Sequence, residues 1–246
     1  MEAKGANLTK LSQITAWIAG LCGLYELIVA SRVLTWFGVF LPAPRHRAIS
    51  LLFALFLIFA LRTPSGDTRE ARLAWYDLLL LGCGLIGAGY VVFNYEAVLD
   101  YSSFGYLDAK GIIFTLLLAV SLFEASRRLT GWWLPLMILF FSLITVFQNY
   151  LPCALHGKGY GLDRLGYSYY VGSSGIFGTP LGVAVTIIIT YIIFGRLLQQ
   201  AGGGQWFINI ALSVTGWMRG GPAKATVVAS CLFGMISGSP SASVAT

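Results

Sequence analysis

The chain has 246 residues, 57% of them hydrophobic and only 11% charged, with a mean hydropathy of +0.76. Soluble domains carry about 25% charged and about 45–50% apolar residues, so the composition argues against a water-soluble enzyme and excludes a disordered tail. Net charge is +6, unevenly spread: residues 164–246 hold Arg164, Arg196, Arg219 and Lys224 and no acid. The basic residues stand singly between apolar blocks, without the clustered face that phosphate binding needs. They are therefore read as orientation signals of a membrane protein, not as a nucleic-acid surface.

The apolar blocks approach the ~20 residues a spanning helix needs, and ten-residue alternating segments of a membrane β-barrel are missing. The expected fold is all-α: a polytopic membrane protein of about six transmembrane helices, an interfacial helix and the start of a re-entrant hairpin. Lys4 and Lys10 precede the first stretch, Ile14–Phe40. It is read as a retained helix; a cleaved secretory signal ending near Val29-Ala30-Ser31 is opposed by Glu26 and by the apolar continuation Val33–Phe40. Pro42 and Pro44 mark a turn before Arg45, His46 and Arg47. The second block, Ala48–Leu61, is short, so its flanks must extend it or it must sit askew.

Arg62–Arg72 is a charged loop. The third block, Leu73–Phe93, carries Asp77 and four glycines, Gly82, Gly84, Gly87 and Gly89, that would admit a neighbouring backbone. Asn94–Asp108 reads as a polar, aromatic connection, Gly111–Phe123 as the fourth block ending in Glu124-Ala-Ser-Arg127-Arg128, and Gly131–Tyr150 as the fifth, stopped by Pro152. Leu155–Ser174 is amphipathic and tyrosine-rich, which suits an interface. The sixth block, Gly175–Leu198, is interrupted by Gly178-Thr-Pro180. Gln205–Met218, with Trp206 and Trp217 at its ends, is expected to lie along the interface or cross at an angle. With the N-terminus inside and six crossings, seven basic residues (Lys4, Lys10, Arg62, Arg69, Arg72, Arg127, Arg128) fall inside and five (Arg45, Arg47, Lys110, Lys158, Arg164) outside, a lean towards N-in.

The last segment carries the most chemistry. Arg219-Gly220-Gly221-Pro222 reads as a turn, and Ala225–Ile236 as a helix of only ~18 Å against ~30 Å of hydrocarbon. It runs into Ser237-Gly238-Ser239-Pro240. Broken backbone at membrane depth is tolerated where protein buries it or where it lines a cavity. There, helix-end carbonyls and serine hydroxyls could hold a hard cation such as sodium. An ordinary Ser/Gly-rich surface loop is the competing reading.

Several stretches resemble the membrane component of TRAP transporters, the tripartite ATP-independent periplasmic transporters, in the TAXI-type form with fused small and large membrane subunits. The resemblance lies in Trp75-Tyr76-Asp77, Glu124-Ala-Ser-Arg127-Arg128, Leu151-Pro152 with His156, and Gly175-Ile-Phe-Gly178-Thr-Pro-Leu181. It continues through Phe194-Gly195, Gly220-Gly221-Pro222-Ala223-Lys224 and Ser237-Gly238-Ser239. It implies a sodium role for Ser237, Gly238 and Ser239 and a hairpin or hinge role for Gly220, Gly221, Pro222 and Pro240. Pro240 and Ser243 stand where the family often has Ala and Asn. By the same resemblance, residues 1–129 would be a static small-subunit-like scaffold. Residues 130–246 would be the N-terminal part of a large-subunit-like transport domain, cut at the first hairpin. The implied activity is import of a small organic anion, delivered by a periplasmic substrate-binding protein, through a prokaryotic inner membrane by a sodium-driven elevator movement. Na+ would be the coupling ion, with no other cofactor. Family members continue well beyond the first hairpin, so these 246 residues alone are expected not to transport.

Other chemistry is weaker. Glu26 and Asp77 are intramembrane acids, read as interface residues or as partners of nearby Arg32 and Arg72. Arg127-Arg128 reads as a cytoplasmic positive flank. His46 and His156 lack metal-spaced neighbours and read as interface or loop residues. Cys22, Cys83, Cys153 and Cys231 are isolated thiols. Lys224 lacks the spacing of a phosphate loop, which argues against nucleotide binding. The alternative function is a non-transporting membrane scaffold or assembly subunit.

Overall fold

The computed structural model describes residues 2–64, 75–105, 107–150, 157 and 161–237. Those residues form helices and turns and contain no strand. Two compact units are present, Met1–Val183 and Ala184–Thr246.

The first unit opens with α1 (Glu2–Ala30), which stops ten residues before the end of the apolar stretch. The chain breaks at Arg32, a non-glycine residue in the left-handed region (φ 54°), before the short α2 (Val33–Trp36). Left-handed backbone costs an L-residue ~1–2 kcal/mol, and no helix propagates through it. α3 (Ala43–Leu61) begins five residues earlier than the apolar block, because Pro44 stands in its first turn, where a missing N–H costs nothing. Arg45, His46 and Arg47 are therefore helical, and the flank makes the block long enough to cross.

α4 (Trp75–Phe93) is followed by α5 (Tyr95–Phe104), a helix within what reads from sequence as a connection; Gly105 (φ 72°) ends it. α6 (Ala109–Thr130) is capped by the Asp108 side chain, which accepts from the Ala109 N–H at 2.8 Å, and stops at Gly131 (φ 75°). It runs through Glu124, Arg127 and Arg128, which are thus part of the helix rather than a tail after it. α7 (Trp133–Val146) is only 14 residues and yields to a 3-10 turn at Gln148–Tyr150. α8 (Leu162–Tyr170) and α9 (Thr179–Val183) complete the unit. Pro180 starts α9 rather than interrupting a helix.

The core lies between α3, α4 and α6. Ala48, Leu51, Leu55 and Phe59 recur at three- and four-residue spacing along α3 and meet Leu81, Ala88 and Val91 of α4 and Leu118 and Ala125 of α6. Two of the four glycines of α4 make this packing possible. A Cβ on Gly87 would stand 2.8 Å from the Leu118 Cβ and 2.9 Å from the Phe114 carbonyl; one on Gly84 would stand 2.5 Å from the Ser121 Oγ. Gly82 and Gly89 have nothing within 4 Å. Tyr170 of α8 is buried in the same core and donates its hydroxyl to the Gly87 carbonyl at 2.6 Å. Burial pushes the hydroxyls of Tyr101 and Tyr170 above the usual tyrosine range, so both stay neutral.

The second unit opens with a π turn at Ala184–Ile188, followed by α10 (Ile189–Gln200), α11 (Gly203–Thr215) and α12 (Gly221–Ser237). Among the described residues, five helices are long and apolar enough to cross a membrane: Gln13–Ala30, Ala43–Leu61, Trp75–Phe93, Ala109–Thr130 and Thr179–Gln200. Trp133–Val146 is a shorter apolar helix. Apolar side chains cover the outside: along α7, Trp133, Leu136, Met137, Phe140 and Phe141 are all exposed. Water would penalise such a surface, whereas hydrocarbon does not. All seven tryptophans are exposed, six of them at or near helix ends, as expected at the two membrane–water boundaries. The protein is a polytopic α-helical membrane protein.

Candidate functional site

The second unit holds the expected turn at Arg219–Pro222, between α11 and α12; the tip of the expected re-entrant hairpin, Gly238 onward, lies outside the described residues. α11 and α12 are joined by a tight turn and pack against each other, and both contact α10. The contact uses small side chains one turn apart. Ala211 and Thr215 are buried on α11; Gly221 and Ala225 are buried on α12. Small residues allow close approach of two helix backbones. A Cβ on Gly221 would stand 2.6 Å from the Gly216 carbonyl and 2.9 Å from that of Thr215. Gly220 reverses the chain with φ 74°, a region natural to glycine. The Gly221 N–H donates to the Met218 carbonyl at 2.9 Å, and the Lys224 N–H to the Gly220 carbonyl at 3.1 Å.

Pro222 falls in the first turn of α12 rather than in the loop. This lengthens the helix: α12 has 17 residues, beginning four positions before the expected Ala225. At 1.5 Å per residue it is about 25 Å long. This described part is shorter than ~30 Å of hydrocarbon. Ser237 is the last described residue of the chain and is helical. Gly238, Ser239 and Pro240 lie outside the described residues, as do Leu151-Pro152, Cys153, His156 and Arg72. Among the described residues, no three of His, Cys, Asp and Glu stand together as metal ligands.

The first unit holds two buried polar clusters whose partners differ from those expected. Asp77 of α4 pairs with Arg128 of α6 at 2.6 Å, and both side chains are fully buried. Arg128 also donates through Nε to Glu124 at 2.9 Å and through Nη1 to the Arg62 carbonyl at 3.3 Å, and lies 4.8 Å over the Phe59 ring. Arg127 grips Glu124 with two bonds of 2.7 Å and stacks over Trp132. Arg128 is thus an internal tie, not a solvated positive flank. Two stretches that carry the family resemblance, Trp75-Tyr76-Asp77 and Glu124 to Arg128, meet at this point. The four-residue spacing of Glu124 and Arg128 on one helix face was the available signal.

The second cluster joins α1 to α3. The Glu26 carboxyl bonds to Ser50 Oγ at 2.5 Å, and its other oxygen faces His46 Nε2 at 3.5 Å. The Tyr25 hydroxyl meets His46 Nδ1 at 3.1 Å. Glu26 therefore turns to α3, not to Arg32, and His46 is buried near the start of that helix. Arg47, next on α3, donates to the Phe177 carbonyl at 2.9 Å and fills the space beside Gly182.

The family profile described as the tripartite ATP-independent periplasmic transporter, DctM component, matches residues 117–246, just over half of the chain, from the middle of α6 through α12. No curated protein and no solved structure is significantly similar to the chain. The matched region takes in the hairpin and all of its turn residues. DctM components are membrane parts of transporters rather than enzymes, and this chain belongs to the DctM family of tripartite ATP-independent periplasmic transporter components.

Proposed function

We propose that the protein is the permease part of a sodium-coupled importer of a small organic anion, handed over by a periplasmic binding protein of the TAXI type. The reading is carried by the DctM match together with the α11–α12 turn at Gly220, from which α12 leads the chain to Ser237. A helix C-terminus leaves its last carbonyls without intrahelical partners and bears partial negative charge. Ser237, Gly238 and Ser239 follow at that end with hydroxyl and carbonyl oxygens, a donor set suited to a hard cation. Gly220, with Gly221 and Pro222 opening α12 behind it, would be the hinge about which the hairpin tilts, and Pro240 would redirect the chain after the ion site.

In this reading, residues 1–129 are a small-subunit-like scaffold fused to a large-subunit-like transport part beginning near residue 130, in the inner membrane of a prokaryote with the N-terminus inside. The transport part moves and the scaffold stays.

The test is uptake into membrane vesicles carrying the transporter, with its binding protein supplied outside. An inward sodium gradient should drive accumulation, potassium should not, and S239A should abolish the sodium dependence with normal membrane insertion. Uptake that ignores sodium, or that survives S237A and S239A together unchanged, overturns the sodium assignment, and absence of any uptake returns the chain to the scaffold reading.

A further inference from the structure

The cluster between α1 and α3 has one donor hydrogen fewer than its geometry uses. Ser50 Oγ is 2.5 Å from Glu26 Oε1 and 3.0 Å from the His46 carbonyl. Both are acceptors if Glu26 is ionised, yet a serine hydroxyl has a single hydrogen. The second carboxyl oxygen, Oε2, is buried without a hydrogen bond; its nearest polar neighbour is His46 Nε2, itself buried without one, at 3.5 Å. A buried carboxylate–imidazolium pair would close to ~2.7–2.9 Å. A carboxylate with one hydrogen bond inside an apolar span is costly.

We propose that Glu26, Ser50 and His46 form a proton-binding site in the first unit, in which Glu26 resides as a neutral carboxylic acid. Its Oε1–H donates to Ser50 Oγ, and the Ser50 hydrogen passes to the His46 carbonyl. The Tyr25 hydroxyl donates to His46 Nδ1, which leaves the ring hydrogen on Nε2, facing Oε2. The Glu26, Ser50 and Tyr25 hydrogens then each have an acceptor, the Nε2 hydrogen faces Oε2 across 3.5 Å, and no member bears charge. The surroundings permit this. On α1 the titratable neighbours are Cys22 and Tyr25, both uncharged at neutral pH. On α3 two charges flank His46: Arg45, which lies over the Tyr95 ring, and Arg47, which is engaged by the Phe177 carbonyl. Arg32, preceding α2, makes no bond to the cluster. The charged and titratable groups of α4 and α6 (Tyr76, Asp77, Cys83, Tyr90, Lys110, Glu124, Arg127, Arg128) do not bond to Glu26 or His46, and α9 carries none. The ionic cluster around Arg128 sits at Phe59, roughly 20 Å farther along α3 than His46.

The site is independent of the transport reading, and its test does not use transport. Infrared spectra of the full chain in lipid nanodiscs at pH 7 should contain a carboxylic-acid C=O stretch that is lost in E26Q and shifted in S50A. The amide keeps the shape and the donor, so E26Q should unfold within about 2–4 °C of the wild type, and E26A at a clearly lower temperature. Absence of a carboxylic-acid band removed by E26Q, or destabilisation by E26Q equal to that by E26A, overturns the proposal in favour of an ion pair. Should E26Q fail to insert, S50A decides: a shifted band upholds the site, and an unshifted or absent band refutes it.

Discussion

Arg128 on α6 and Asp77 on α4 form a fully buried ion pair at 2.6 Å, reinforced by Glu124 one turn before Arg128. Removing one member of such a pair leaves uncompensated charge, a cost of about 3–5 kcal/mol. R128M takes from Asp77 its buried Arg128 partner, while Glu124 keeps Arg127, and should lower stability by that order, measured by denaturant unfolding in detergent. The double variant D77L/R128M removes both members of the buried pair, leaves Glu124 to Arg127, and should recover most of the loss. Equal stability of R128M and wild type would mean that the pair contributes nothing.

The glycines of α4 give a sharper contrast. G87A forces a Cβ against the Leu118 Cβ and the Phe114 carbonyl. Overpacking against backbone costs about 1–3 kcal/mol. G82A and G89A meet open space and should be neutral or stabilise by about 0.5–1 kcal/mol, because alanine favours the helix. Unfolding midpoints of the three variants should separate accordingly.

Y170F deletes the bond to the Gly87 carbonyl while keeping the ring in the core. The expected loss is about 1 kcal/mol, since the carbonyl retains its second lone pair for the helix. Its signature is earlier hydrogen exchange near Gly87 with no change of fold.

In the hairpin, G220A places a Cβ on backbone at φ 74° and should destabilise the α11–α12 turn by about 1–2 kcal/mol, whereas G220N should be tolerated better. Hydrogen exchange at Met218–Lys224 would report it. Unchanged protection in G220A would show that the turn adopts another conformation.

The spans were legible because hydrophobicity over twenty residues is a strong signal. Their ends were less so: prolines at 44, 180 and 222 read as breaks, but each lies in a first turn, where the ring fits. The partners of Glu26 and Asp77 were sought at neighbouring arginines, yet they lie 24 and 51 residues away in sequence. Which charges meet is decided by how α1, α3, α4 and α6 pack, and sequence proximity carries none of that. The same holds for the glycines: four stand in α4, but only Gly84 and Gly87 share the side that α6 occupies. Of the candidate ion site, the turn at Gly220 and the helix leading to Ser237 were readable from composition, because glycine, proline and a short apolar run each have a local meaning.

α3 is fastened near both of its ends by unrelated chemistry. Ser50 and His46 hold it to α1; Phe59 and the Arg62 carbonyl hold it beneath Arg128. A slip of one helical turn, ~5.4 Å, would undo both fastenings together, and a roll about its axis would do the same. Any sliding or rolling of this helix would therefore have to break two chemically unlike clusters in one step.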